Sequence, residues 1–286
     1  MPFATARDGT KLYYEETGRG TPIVFVHEFS GDHRSWEAQM RYFGRRYRCI
    51  AFNARGYPPS DVPKARTRYS QAIVADDIAA VMRHLKLRKA HIVGCSMGAS
   101  TALNFGIHHA NRALSVTSVG AGAGSDPARR AAYLRTTEEN AKRYETLGMS
   151  AAVAGSLMPG RVSLQNKDPR GFAEFRRFEA EHSALGLANT QRGVQIKRPT
   201  VYQLGKLLHR MKVPLYVVSG DEDDNCVVPA VFMKQICPVA RLWICPSTGH
   251  TVNTEEPALF NQMLGEFLAL VDSRRWRPRD PRSIAT

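Results

Sequence analysis

A serine between two glycines, in Gly94-Cys95-Ser96-Met97-Gly98, is the stretch of this chain whose residue types and spacing are most suited to chemistry. Gly-x-Ser-x-Gly is the spacing of a nucleophile elbow, where the serine sits on a strained turn and small neighbours let a strand and a helix close on each other. A serine hydroxyl attacks a carbonyl only when a base removes its proton, and the base needs a carboxylate to fix its tautomer and stabilise the imidazolium. The chain must therefore supply a histidine and an acid. Of nine histidines, His84, His91, His108, His109, His182 and His209 fall on predicted helices or just before a strand, where surface or structural roles are the default. His27, His33 and His250 remain. His250 lies between the last predicted strand and the last helix, and Gly220-Asp221-Glu222-Asp223 follows the strand before it, giving the order serine, acid, histidine. Asp221 and Asp224 stand as alternatives to Asp223, since a shift of one residue changes which face of the turn a carboxylate occupies.

The elements that would position these residues are legible as alternating strands and helices. Continuous apolar runs at 22–27, 49–52, 91–95, 114–120, 213–219 and 241–244 read as strands covered on both faces. Between them lie a helix begun by Ser35 and ending at Gly44, one capped by Ser70, one running on from Ser96 through Phe105, one near 229–237 and one over 254–271. Residues 2–18 read as an antiparallel hairpin covering one sheet edge. The fold class is thus α/β, a mostly parallel sheet with helices on both faces. From about Ser125 to Lys212 no strand is evident, only helical segments at 127–147, 170–184 and 200–211, so the core is read as 1–124 and 213–272 with an inserted helical cap at 125–212. Residues 273–286, rich in arginine and proline, read as a basic flexible tail.

With 43% hydrophobic and 23% charged residues the 286-residue chain has the composition of a soluble globular protein. No basic stretch followed by an apolar run opens the sequence and no long uncharged apolar run occurs, so the expectation is a cytoplasmic protein with no membrane partner. Five cysteines, an odd number without C-x-x-C spacing, argue against a disulfide framework and a zinc site; no metal and no cofactor are expected, and Cys95 reads as packing. The formal charge of +14 favours anionic partners by long-range attraction, but no nucleic-acid-binding motif accompanies it, so a solvated basic surface is expected and no nucleic acid. Oligomeric state is open.

On Gly94-x-Ser96-x-Gly98, Gly220-x-x-Asp223, Gly249-His250 and Glu256-Pro257, in that order, the chain resembles the α/β-hydrolase family over nearly its whole length, cap and tail apart. The resemblance implies Ser96 as nucleophile, Asp223 as acid and His250 as base. In that family a His-Gly-x motif follows an early strand, and its third residue shares the oxyanion with the residue after the nucleophile. Here the motif reads His27-Glu28-Phe29, so the backbone amides of Phe29 and Met97 take that role by resemblance. Glu28 departs from the usual glycine, as in the dienelactone hydrolases, and is a candidate for gating the site, helping to polarise a substrate or satisfying a loop amide; His27 and Arg34 are further candidates for substrate contact or gating. Asn53-Ala54-Arg55-Gly56-Tyr57-Pro58-Pro59-Ser60-Asp61 resembles the family's Asp-x-Arg-Gly-x-Gly-x-Ser-Asp loop, with Arg55 and Asp61 tying loops beneath the site.

A serine at the elbow serves acyl transfer, whereas displacement at carbon in this fold uses a carboxylate there. The expected activity is hydrolysis of a small carboxylic ester or lactone through an acyl-enzyme on Ser96. A carbon–carbon bond hydrolase or a perhydrolase would use the same triad, and a ligand receptor that keeps the triad without turnover is the reading from another class. The cap holds twice as many Lys and Arg as Asp and Glu between residues 126 and 212, which points to a small acyl substrate bearing an anionic group.

Overall fold

The structure, a computed structural model, describes residues 2–283. In chain order the elements are strands β1 (Phe3–Thr5), β2 (Lys11–Thr17) and β3 (Pro22–Val26), helix α1 (Glu37–Phe43), β4 (Arg48–Phe52), α2 (Gln71–His84), β5 (Ala90–Cys95), α3 (Met97–His108) and β6 (Ala113–Val119). The inserted helices follow: α4 (Arg130–Ala154), α5 (Val162–Lys167), α6 (Pro169–Ala180), α7 (Ala184–Thr190) and α8 (Gly205–His209). The chain then returns through β7 (Leu215–Gly220), α9 (Val227–Ile236), β8 (Ala240–Cys245), α10 (Val252–Glu255) and α11 (Pro257–Asp272).

Eight strands form one sheet in the order β1-β2-β4-β3-β5-β6-β7-β8. The β1–β2 hairpin is antiparallel and lies against β4 antiparallel, and every pairing from β4 onward is parallel. Alternate residues of each central strand feed different cores. Val24, Val26, Ile50 and Ile92 join α2, α3 and α9 on one face, while Ile23, Phe25, Ala51 and Val93 join Trp36, Met40 and Phe43 beside α1 and Phe260, Leu264 and Phe267 of α11 on the other. A strand clad on both sides has no polar face, which is why the sequence runs there are continuously apolar. A third cluster, including Tyr57, Met97, Tyr144, Val153 and Leu187, seats the inserted helices on the loops at the carboxyl ends of the strands. Among the described residues no helix is long and apolar enough to cross a membrane.

Several local expectations are corrected. The first helix opens with a short 3₁₀ turn over His33–Trp36, capped by the Asp32 carboxylate rather than by Ser35; the Arg34 amide donates to Asp32 at 2.8 Å. Ser70 does cap α2, accepting from the Ile73 amide at 3.2 Å. In the insertion the backbone leaves helical space at Gly148, with φ 72° and ψ 170°, just after the expected helix end at 147, and a second helical stretch carries α4 on to Ala154; the last helix is split in two because Pro257 begins α11. The stretch from residue 273 is not loose as far as it is described. Trp276 packs edge-on against Phe267, its indole N–H donates to the Val239 carbonyl at 2.9 Å, and the Arg279 amide donates to Pro238 at 3.0 Å. One apolar ring outweighs the surrounding charge because it reaches an open flank of the sheet-side core.

Candidate active site

Ser96 sits between β5 and α3 with φ 53° and ψ −110°, a left-handed conformation that a residue bearing a Cβ adopts at a cost. Its amide donates to Val119 at 2.7 Å, pinning the turn to the neighbouring strand. The flanking glycines are required by close approach: a Cβ on Gly94 would lie 2.1 Å from the Gly98 carbonyl oxygen, and one on Gly98 would lie 2.1 Å from that of Val26.

The loop after β8 brings His250 over this turn. The Ser96 hydroxyl lies 2.8 Å from His250 Nε2, and His250 Nδ1 lies 2.6 Å from Asp223 Oδ2. Because the carboxylate accepts the hydrogen bond from Nδ1–H, Nε2 is left without a proton and faces the serine hydroxyl as an acceptor. Burial pulls the Asp223 carboxyl upward, but the adjoining imidazole more than offsets this and holds it below the usual carboxylate range. Asp221 is exposed and accepts from the Thr248 amide at 3.0 Å, bracing the turn, and Asp224 is exposed. Of the three acids left open by spacing, Asp223 is therefore the one the fold brings to His250.

The histidine loop is braced by Glu255, whose carboxylate accepts from the amides of Gly249 at 2.7 Å and Thr251 at 3.0 Å. Glu256, singled out from the sequence, points outward to Lys167 at 2.6 Å. Behind Asp223 the buried Cys226 thiol donates to the Gly120 carbonyl at 3.2 Å, and burial pushes its pKa well up. Asp223, Cys226 and His250 each offer a ligand atom within 4.8 Å of the others, the set here that a metal ion would compete for, although two of them are joined by the hydrogen bond just described. Cys95 is buried and its thiol is likewise pushed well up, which suits packing. All five cysteines are free.

Ser96 and His250 open into a pocket of about 240 Å³ lined also by Glu28, Phe29 and Ser30 and roofed by Leu157-Met158-Pro159-Gly160-Arg161 of the insertion. The roof is tied on by the His250 amide, which donates to Gly160 at 3.0 Å. Among the described residues neither the Phe29 nor the Met97 amide hydrogen is given to a protein acceptor, so both stay available beside the serine. A larger groove of about 510 Å³, between α1 and α6, does not include Ser96.

Of the three residues read as candidates for substrate contact or gating, two lie away from the Ser96 pocket and one lines it. His27 is buried, accepts from the Ala54 amide at 3.0 Å on Nε2 and faces the Glu28 carbonyl at 2.6 Å with Nδ1, so both ring nitrogens are spent on backbone. Arg34 is gripped by Asp32, with contacts down to 2.6 Å, reaches Glu181 at 2.8 Å and lines the larger groove. Glu28 does line the Ser96 pocket, but it forms a buried ion pair with Arg161, a residue that motif reasoning missed because it lies in an insertion without a recognisable pattern. Arg55 bridges Asp77 and Asp8, each at 2.7 Å, and Asp61 accepts from the Lys11 amide at 2.7 Å, so that loop is a tie beneath the site.

A family model described as alpha/beta hydrolase fold matches residues 21–257. The chain belongs to the α/β-hydrolase family. Among the hydrolase's relatives, a putative 2-succinyl-6-hydroxy-2,4-cyclohexadiene-1-carboxylate synthase from Bacillus subtilis is 26% identical over 93% of this chain and 98% of its own length. Non-heme chloroperoxidase CPO-A1 from Kitasatospora aureofaciens is 31% identical over 94% of this chain and 99% of its own. The solved enol-lactonase of Burkholderia xenovorans LB400 superposes with a TM-score of 0.82, covering 94% of this chain and 100% of that one at 23% identity. This last likeness is one of fold.

Proposed function

We propose that this hydrolase cleaves small carboxylic esters or lactones through an acyl-enzyme on Ser96. What carries the reading is the hydrogen-bonded line from Ser96 through His250 to Asp223, ending in the pocket beneath the insertion. As Ser96 Oγ bonds to the carbonyl carbon, its proton passes to His250 Nε2, and the carbonyl oxygen becomes an oxyanion facing the Phe29 and Met97 amides. One such donor typically lowers the barrier by ~3 kcal/mol. Collapse breaks the ester C–O bond, and the leaving oxygen takes the proton from His250. A water molecule then gives its proton to His250 and attacks the acyl carbon, releasing the acid and restoring Ser96.

Mixing the enzyme with a p-nitrophenyl ester tests this. A burst of one nitrophenol per site, with intact mass raised by the acyl group and neither effect in Ser96→Ala, is the expected outcome; undiminished turnover by Ser96→Ala contradicts it.

The likeness to a chloroperoxidase favours one second reading, in which hydrogen peroxide replaces water as the acyl acceptor and a peracid leaves. Peroxide-dependent halogenation of a diketone reporter in acetate buffer, lost in Ser96→Ala, would support it; halogenation surviving that change would reject it.

A further inference from the structure

We propose that the Glu28–Arg161 ion pair sets the charge preference of the Ser96 pocket, making it a site for uncharged esters or lactones and excluding those that carry a carboxylate. The proposal rests on the hydrolase reading above.

Beside the catalytic imidazole, the charged side chains lining the pocket are one anion, Glu28, and one cation, Arg161. Both are buried, at 3% and 4% exposure. The guanidinium is held on three sides: Nη2 faces the Glu28 carboxylate, Nη1 faces the Thr251 hydroxyl, and the Phe175 ring lies 4.7 Å from its central carbon. Burial draws the Arg161 pKa down to about 10 against the fields of Glu179, Glu255 and Asp223, so the ground behind the pair is acidic. A substrate carboxylate entering here meets no unpaired cation. Either it shares Arg161 with Glu28, placing two carboxylates on one guanidinium, or it displaces Glu28 and leaves that charge buried without a partner, which is the costly case for buried ions.

The basic excess of the insertion does not change this balance. Arg176 is held by Glu179 and the Val153 carbonyl, Arg192 by Glu138 and Glu145, and Arg130 and Arg198 donate to backbone carbonyls. These four arginines are spent on holding the insertion together, and none of the insertion's basic residues except Arg161 lines the Ser96 pocket. Glu28, which stands where the family's motif has glycine, therefore has a use: it neutralises the arginine that the insertion lowers onto the nucleophile.

The test compares kcat/KM for monoethyl glutarate with that for its uncharged counterpart, ethyl 4-carbamoylbutanoate, in the wild type, Glu28→Gln, Arg161→Met and the double variant. The wild type is expected to favour the amide at least tenfold. Glu28→Gln leaves the pair with a net positive charge and should shift the ratio at least tenfold toward the carboxylate; Arg161→Met should shift it the other way, and the double variant should return it toward the wild type. A purely structural pair would lower both rates together and leave the ratio alone. A wild-type preference for the carboxylate, an unmoved ratio, or shifts of the same sign in both single variants would overturn the proposal, and the wild-type ratio decides even if a single variant does not fold. Failure of the wild type on both esters, with Ser96 unacylated, would instead remove the hydrolase reading on which the proposal stands.

Discussion

At the scale of single residues the site is a matter of which atoms are left bare. Asp223 occupies His250 Nδ1, and Nε2 faces Ser96. Ser96→Ala should therefore lower kcat/KM on a p-nitrophenyl ester by roughly 10⁴- to 10⁶-fold while leaving the thermal midpoint nearly unchanged; a loss below tenfold would mean that another group attacks. His27 presents a different balance. Its burial lowers its pKa to about 3 from the ordinary 6.5, with the Asp32 carboxylate pulling the other way. The folded protein then holds a neutral imidazole where the unfolded chain binds a proton, so stability is full above about pH 6.5 and falls as pH drops toward 3. Between pH 6 and 4.5 the expected slope is about 1.4 kcal/mol per pH unit, measured as the urea midpoint against pH. The slope should flatten in His27→Gln, and one that persists there would assign the proton to another group.

At the scale of elements, what was legible in the sequence followed from burial, and what was not followed from contacts distant along the chain. The parallel strands could be read because both of their faces feed apolar cores, and the order Ser96, Asp223, His250 because each lies in a loop just past such a strand. Choosing Asp223 over Asp221 and Asp224 needed the resemblance, then the turn itself, since all three carboxylates share one short loop. Ser35 was read as a cap because it precedes an amphipathic run, but Asp32 reaches the turn first. Glu256 was read from a motif, whereas its neighbour Glu255 holds the histidine loop, because which of two adjacent acids turns inward depends on the helix phase set by Pro257. The Glu28–Arg161 pair left no sequence signal, since an insertion carries no register relative to the sheet. Packing at the elbow gives the sharpest test at this scale. Gly98→Ala should destabilise by about 3 kcal/mol or more, because its new methyl would meet the Val26 and His27 carbonyl oxygens rather than a movable side chain. A thermal midpoint within a degree of the wild type would refute the close approach.

For the molecule as a whole, the sheet fixes Ser96, two later loops deliver Asp223 and His250 to it, and the inserted helices roof the pocket and bring Arg161, paired with Glu28, onto it. The basic surface that dominates the composition is largely separate from this site, and the segment after α11 contributes an apolar anchor, Trp276, where charge alone suggested a loose end. Residues 284–286 of that segment lie outside the described residues. The proposed activity depends on one oxygen atom, Ser96 Oγ, being a nucleophile. The most direct measurement is reaction of the full chain with a fluorophosphonate, followed by peptide mass mapping. A single adduct on Ser96, absent from Ser96→Ala and slowed in His250→Ala, is the predicted result; an adduct on another residue, or esterase activity that continues with Ser96 unmodified, would contradict it.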